Sequence, residues 1–420
     1  MTVSTNQPTN RPNGFADISL KPPSAAKSVA GQEPSAHVVK TITDLISADT
    51  TSRNSNLGLI EAIRDMLKPL GFVSSLTYDT TRMKANLLAT LPADNGQQTG
   101  GICFSGHVDT VPVDGQDWSS DPFSATIRNG NLYGRGACDM KGFVGTAISV
   151  AAARAGSRRA SPVHLALSYD EELGCLGVPA LVEDMVARDI RPDGCIVGEP
   201  TMMGIVCAHK GAHVGRIRIE GLACHSSLAP EGVNAIEHAA SVIVHLRALA
   251  DRFAQDGPFD ACFDIPFSTL QTGVIKGGIA VNTVPAECEF TFEFRNLPSV
   301  SDERIKKVIE RHIEEVAAPA VRRRKATCKV DIDWLAAVPA FAANETASFT
   351  SLVRALCDDR SERKVAYGTE AGHFAQAGIP TLVCGPGDIS QAHAADEFVS
   401  LQQVARCETF LNALLDAPRL

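Results

Sequence analysis

Ile102-Cys103-Phe104-Ser105-Gly106-His107-Val108-Asp109-Thr110 is the stretch whose reading decides the fold. A short apolar run that gives way abruptly to His107 and Asp109 predicts a strand buried on both faces, with polar side chains at its carboxyl end. Three other segments repeat this design. Val163 to Tyr169 leads to Asp170, Glu171 and Glu172, and Cys195 to Val197 leads to Glu199. Thr381 to Cys384 leads through Gly385-Pro386-Gly387 to His393. Helical spacing lies between such runs: the pattern turns helical from Val38, and Leu57, Ile60, Ile63 and Leu67 recur until Gly71 closes the segment. Buried strands alternating with helices predict an α/β fold whose sheet is mostly parallel and covered on both faces, a three-layer arrangement.

The pattern changes over 212–337. Cys288, Phe290, Phe292 and Phe294 alternate with Glu287, Glu289, Thr291, Glu293 and Arg295, as in a sheet with one buried face. Arg216 to Glu220 and Lys329 to Trp334 share that period. Ile236, Ala240, Ile243 and Leu246 stripe one intervening helix, and Ile305, Val308, Ile309, Ile313 and Val316 another. The order β-α-β-β-α-β predicts a ferredoxin-like α+β domain inserted at 212–337 into a larger domain made of 36–211 and 338–420. Residues 1–35 carry Pro8, Pro12, Pro22, Pro23 and Pro34 among polar residues, the composition of a disordered tail.

The chain has 420 residues, 44% hydrophobic and 21% charged, which excludes disorder for most of its length. Its net charge of −9 is opposite to the basic footprint of a nucleic-acid binder. No apolar run approaches the ~18–20 residues of a membrane helix, and the N-terminus lacks the pattern of a signal peptide. These features predict a cytoplasmic protein with neither nucleic acid nor membrane as partner. The 12 cysteines include no C-x-x-C pair, and Cys103, Cys195 and Cys384 sit inside apolar runs, so they read as small core residues.

Ligands of open α/β sheets bind beyond the carboxyl ends of the strands. His107, Asp109, Glu171, Glu172, Glu199 and His393 all follow such ends, and Asp139 follows Gly134-Arg135-Gly136. Taken singly, a strand-end carboxylate is usually a cap or solvated, and Asp139 could cap a helix running from Lys141 to Arg154. Taken together, imidazoles and carboxylates converging on one sheet edge suit two divalent ions bridged by a carboxylate. Oxygen and imidazole donors favour zinc, cobalt or manganese over copper(I) or iron–sulfur. No G-x-S-x-G nucleophile elbow is present, and the glycines at 134–142 do not have P-loop spacing.

Ser105-Gly106-His107-Val108-Asp109-Thr110, Tyr133 to Gly142, Ser168 to Gly174, Gly198-Glu199-Pro200-Thr201 and Gln391-Ala392-His393 together resemble the M20 metallopeptidase family, in order over about 36–420. The resemblance implies a metallopeptidase-like catalytic domain holding two divalent metals, zinc foremost and cobalt as the other choice, with 212–337 as a lid and homodimerisation domain. By the same resemblance Asp139 bridges the metals and His107, Glu172, Glu199 and His393 complete them. Glu171 is the general base toward a bridging water, and Asp109 is the carboxylate that orients the imidazole. His225 is implied to stabilise the oxyanion, reaching the active site of a partner subunit. Asn282 and Arg295 resemble substrate contacts, a guanidinium being suited to a carboxylate.

Within the family, 113–123, 225–240, 367–372 and 384–393 are most similar to the branch that removes acetyl from N2-acetyl-L-ornithine in arginine biosynthesis. Glu370 is then expected to pair with the substrate's side-chain ammonium. Succinyl-diaminopimelate desuccinylation, a broader aminoacylase or carboxypeptidase activity, and a non-catalytic metal-binding interaction protein are the alternatives. Glu171 argues against the last, since a ligand-only site needs no acid there. His373, and Ala212 with His213, depart from the branch's pattern.

Overall fold

The computed structural model describes residues 33–417, so the tail expected over 1–35 lies, up to residue 32, outside the described residues. The described residues divide into two compact units, one of 33–169 with 386–417 and one of 170–385.

The first unit opens with α1 (Ala36–Ile46), whose N-cap Ser35 accepts from the Val38 N–H, and α2 (Leu57–Leu67). Strands β1 (Val73–Tyr78), β2 (Ala85–Leu91) and β3 (Ile102–His107) follow. After the short β4 (Thr126–Arg128) and β5 (Asn131–Tyr133) come α3 (Gly142–Ala153) and β6 (Val163–Ser168). The strands lie in the order β1-β2-β6-β3. Only β3 and β6 run parallel here, while β2 is antiparallel to both β1 and β6. Every residue of β2, β3 and β6 is buried, which is why they read as unbroken apolar runs. His107 is the last paired residue of β3, opposite Ser168. Helix α3 is apolar all round and buried on eleven of its twelve positions. Gly145 lets α1 pack against it, because a Cβ there would stand 2.6–3.0 Å from Ile42. The C-terminal helix Leu401–Asp416 covers another side of α3.

The second unit contains α4 (Val178–Ala187), β7 (Gly194–Val197) and β8 (Val206–His209). Next come β9 (Ala212–Glu220), α5 (Ala235–Asp256), β10 (Thr269–Gly277), β11 (Glu287–Arg295), α6 (Asp302–His312), α7 (Ala318–Arg324) and β12 (Lys329–Val338). The unit continues with β13 (Phe341–Ala342), α8 (Ser348–Cys357), β14 (Arg363–Val365), α9 (Ala371–Gln376) and β15 (Thr381–Val383). Strand β15 is parallel to β7 and antiparallel to β8, and β8 also pairs antiparallel with β13 and parallel with β14. The pairing in both units is therefore mixed, not mostly parallel as expected. A short connection such as β1–β2 turns the chain back, whereas parallel neighbours need long crossovers.

Strands β9 to β12 form a separate antiparallel sheet in the order β10-β11-β9-β12, the ferredoxin-like arrangement. Its core is Ile217, Ile219, Phe290, Phe292 and Phe294 under α5, α6 and α7. The helix stripes require correction. On α5 the buried positions are Ala235, Ala239, Val242, Leu246 and Leu249, while Ile236 and Ala240 are exposed. On α6 and the turn after it, Ile305, Ile309 and Ile313 are buried, and Val308 and Val316 face outward. The chain enters and leaves this sheet side by side, since Ala212, at the start of β9, pairs with Val338, at the end of β12.

Of the 12 cysteines, Cys262 is exposed, Cys224 and Cys357 are half-buried, and the rest are buried. Among the described residues, no helix is long and apolar enough to cross a membrane.

Candidate metal centre

In the first unit the chain brings His107, Asp139 and His393 together. His107 ends β3 and is fully buried. Asp139 lies in the turn 137–141 ahead of α3, with φ −120° and ψ 92°, so it does not cap a helix. The helix starts at Gly142, and the turn turns the Asp139 carboxylate toward the two imidazoles. Its Oδ1 is 2.9 Å from His107 Nε2 and its Oδ2 is 3.3 Å from His393 Nε2. Each carboxylate oxygen thus meets a different imidazole, the disposition of a bridging ligand. Burial pushes the Asp139 carboxyl up, but hydrogen bonds and charge from His107 and His393 outweigh it and hold the group well below the usual carboxylate range.

His107 Nδ1 lies 3.0 Å from the Asp109 carbonyl oxygen, which can only accept, so Nδ1 carries the proton. Nε2 is then the atom that meets Asp139 Oδ1, as a proton donor when the ring is charged and as a lone pair when the two groups share a cation. The donor set therefore fits a metal on an observation internal to the unit. The Asp109 carboxylate stands 3.6 Å from Nδ1 and accepts from Ser52 Oγ at 2.7 Å. The closest acceptor to the imidazole is thus the main-chain oxygen of Asp109, with its carboxylate behind.

Sequence reasoning missed the residues that hold these loops. Glu397 is 1% exposed, and its Oε1 accepts from the Cys138 N–H at 2.8 Å and the Asp139 N–H at 3.0 Å. Its Oε2 accepts from the Gly136 N–H at 3.0 Å and from Arg135 Nη1 at 2.6 Å. Gly136 takes φ +80°, the left-handed region that favours glycine. Arg135, equally buried, also donates to Gln116 Oε1, and Gln116 Nε2 donates to the His393 carbonyl at 2.7 Å. Arg135 was visible inside Tyr133 to Gly142 and Glu397 four residues past His393, but no spacing rule connects them.

In the second unit, Glu171, Glu199 and Glu370 surround the buried thiol of Cys175. The Sγ–H of Cys175 donates to Glu171 Oε1 at 3.4 Å. Burial first, then the charges of Glu171, Glu370 and Glu199, push the thiol well above its ordinary value, so it stays a donor. The Glu171 carbonyl also closes the turn, accepting from the Gly174 and Cys175 N–H groups. Glu172 is half-buried; Glu199 follows β7 at 4% exposure, and Glu370 is buried at the start of α9.

His225 and Asn282 adjoin each other on the small sheet, where Ser226 N–H donates to the Asn282 carbonyl. Both side chains are exposed. His225 also caps the turn 226–231, its Nδ1 accepting from the Ser227 N–H at 3.2 Å. Arg295, at the far end of β11, is paired with Glu293 and donates to the Ala366 carbonyl at 3.2 Å. The structure thus brings His225 together with Asn282 and leaves Arg295 apart from them.

Comparison with known proteins gives these loops a lineage. The model of peptidase family M20/M25/M40 matches residues 103–417. An acetylornithine deacetylase of Proteus mirabilis is 35% identical over 376 residues, covering 89% of this chain and 93% of its own length. That of Pasteurella multocida is 36% identical over 372 residues, with 88% and 93% covered. Among solved structures, an M20 family metallo-carboxypeptidase of Sulfolobus solfataricus superimposes with a TM-score of 0.70 at 17% identity, over 91% of this chain and 99% of that one. The aminopeptidase PepT of Bacillus cereus does so with a TM-score of 0.67 at 18% identity, over 92% and 99%. The turn at Asp139 and the loops of His107 and His393 are thus those of a known lineage: the chain belongs to the M20 peptidase family and is a metal-dependent amide hydrolase.

Proposed function

We propose that this protein removes the acetyl group from N2-acetyl-L-ornithine, giving ornithine and acetate, as a step of arginine biosynthesis in the cytoplasm. The observation that carries the reading is Asp139 offering one oxygen to His107 and the other to His393. The names of the relatives at 35–36% identity support the substrate. In this reading 36–211 with 338–420 is the catalytic domain and 212–337 the lid.

His107, Asp139, Glu172, Glu199 and His393 would hold two divalent ions, zinc by preference and cobalt otherwise. Bound metal supplies a Lewis acid for the amide carbonyl and lowers the pKa of water. Glu171, held by the Cys175 thiol, takes the proton of the attacking water and passes it to the leaving amine. Asp109 keeps His107 in the tautomer whose Nε2 is the ligand atom. His225 donates to the oxyanion, contributed by the partner subunit of a homodimer formed through 212–337. Asn282 and Arg295 orient the substrate, with the Arg295 guanidinium on its carboxylate, and Glu370 takes its ammonium. Exposed Ile279 and Val281, at the tip between β10 and β11, favour such a dimer.

The test is amide hydrolysis by protein stripped of metal and reloaded with zinc or cobalt, on N-acetylornithine, N-succinyl-diaminopimelate and N-acetylmethionine in parallel. The expected outcome is metal-dependent turnover with the highest kcat/KM on N-acetylornithine. A higher value on another substrate transfers the assignment to that substrate. Stoichiometric metal with no turnover on any of them overturns the catalytic reading.

A further inference from the structure

Three segments carry the His–Asp–His cluster of the first unit: the loop after β3, the turn 134–141, and the stretch 386–397. None is regular secondary structure at the ligand itself beyond the last residue of β3, so something else has to fix them. Backbone hydrogen bonds supply part of this, the Gly134 N–H donating to the Glu397 carbonyl at 2.9 Å, but the Cys138 and Asp139 N–H groups find a side chain, Glu397. One carboxylate therefore satisfies three consecutive-loop donors, at Gly136, Cys138 and Asp139, and takes Arg135 as its counter-charge. The guanidinium extends the link. It reaches Gln116, which holds the main chain at His393, and it touches the carbonyls of Pro112 and Ala394 at 3.5 Å. Trp118 lies against it, with the ring centroid 5.1 Å from Cζ, and donates to Gln116 Oε1 at 3.0 Å.

We propose that Arg135 and Glu397 form a single positioning centre that sets how tightly the Asp139–His393 end of the site holds its metal. The pair touches neither substrate nor reacting atoms. Its planar, five-donor geometry matters: a lysine at 135 could meet Glu397 or Gln116 but not span both. Removing either partner leaves the other charge buried, and the three loops lose the contact that gives them one arrangement. Residues that orient ligands in this way change metal affinity by about 10–100-fold when replaced. The inference rests on Asp139 and His393 being metal ligands, as proposed above.

The experiment measures zinc affinity of the full chain by competition with a chromogenic chelator, for R135K, E397Q, Q116A and D139N. R135K and E397Q are expected to weaken the lower-affinity zinc about 10–100-fold, and Q116A severalfold. Their kcat should return to within about threefold of the parent once zinc is saturating, which a merely misfolded variant would not do. Unchanged zinc affinity in R135K and E397Q overturns the proposal, as does lost activity that excess zinc fails to restore in a variant with a native circular dichroism spectrum. Should both fail to fold, Q116A decides alone, with severalfold weaker zinc supporting the proposal and parental affinity overturning it. D139N separates the two layers: if it keeps both zinc ions at parental affinity, the ligand reading falls whatever Arg135 does.

Discussion

Asp139 illustrates what a single residue discloses and withholds. Its type and its place after a glycine-rich turn mark it as a ligand candidate, together with His107 and His393, because strand ends with polar side chains stand out against apolar runs. The partners of its backbone are invisible in the same sequence, since Glu397 acts on N–H groups that every residue carries. Glu370 is the residue whose role is most open to a direct check. It is fully buried, beside Cys175, at the start of α9. Glu370→Gln removes the charge and keeps the shape, so attraction to an ammonium is lost while a thioether is indifferent. KM for N-acetylornithine is expected to rise about tenfold or more, an ion pair with a buried carboxylate being worth more than a neutral contact. KM for N-acetylmethionine should stay within about twofold, and equal rises on both substrates would end the assignment.

At the scale of elements, the strands were more legible than the helices. The alternation of Cys288 to Arg295 left one possible face for the core, and β11 buries that face. Helix α5 is apolar on two adjacent faces, so periodicity alone does not select between them. The face with Ala235 and Ala239 goes inward, where small side chains allow close approach to the sheet of phenylalanines. Bulky Ile236 and Val244 stay outside, with Ile275, Ile279 and Val281 of the neighbouring hairpin. Ile279 and Val281 are 90% and 102% exposed, more than a folded chain gains from leaving in water. If the proposed dimer forms here, replacing both by Lys is expected to convert it to a monomer in sedimentation velocity and to lower kcat on N-acetylornithine at least tenfold, because the His225 proposed to act in trans would be lost from the site. A double variant that sediments as the parent does would remove this hairpin from the interface.

For the molecule as a whole, the departures noted in the sequence meet at one place in the second unit. His209, the last residue of β8, His213 in β9 and His373 in α9 are each pushed by burial from 6.5 down to about 4. His373 adds to the shift of His209, and His213 to that of His373; Lys306 further lowers His213, opposed by Asp302 and Glu303. An imidazole whose folded value lies below its unfolded one contributes stability that is complete above pH 6.5 and lost as pH falls toward 4. Urea titrations at pH 5 to 7 should therefore show stability falling with acidity. His373→Phe should flatten that slope by about 1.2 kcal/mol per pH unit near pH 5.5. An unchanged slope would mean that His373 is already protonated in the folded chain. Sequence gave these three no common signal, because their nearness depends on β8, β9 and α9 packing together. The same junction bears on chain entropy. Closing a flexible loop of about 125 residues costs roughly 4 kcal/mol by length alone. Because Ala212 pairs with Val338, the sheet on either side of the insertion experiences that long excursion as it would a tight turn, provided the excursion is already folded. Evolution could therefore lengthen, trim or exchange the insertion without loosening the strands it interrupts.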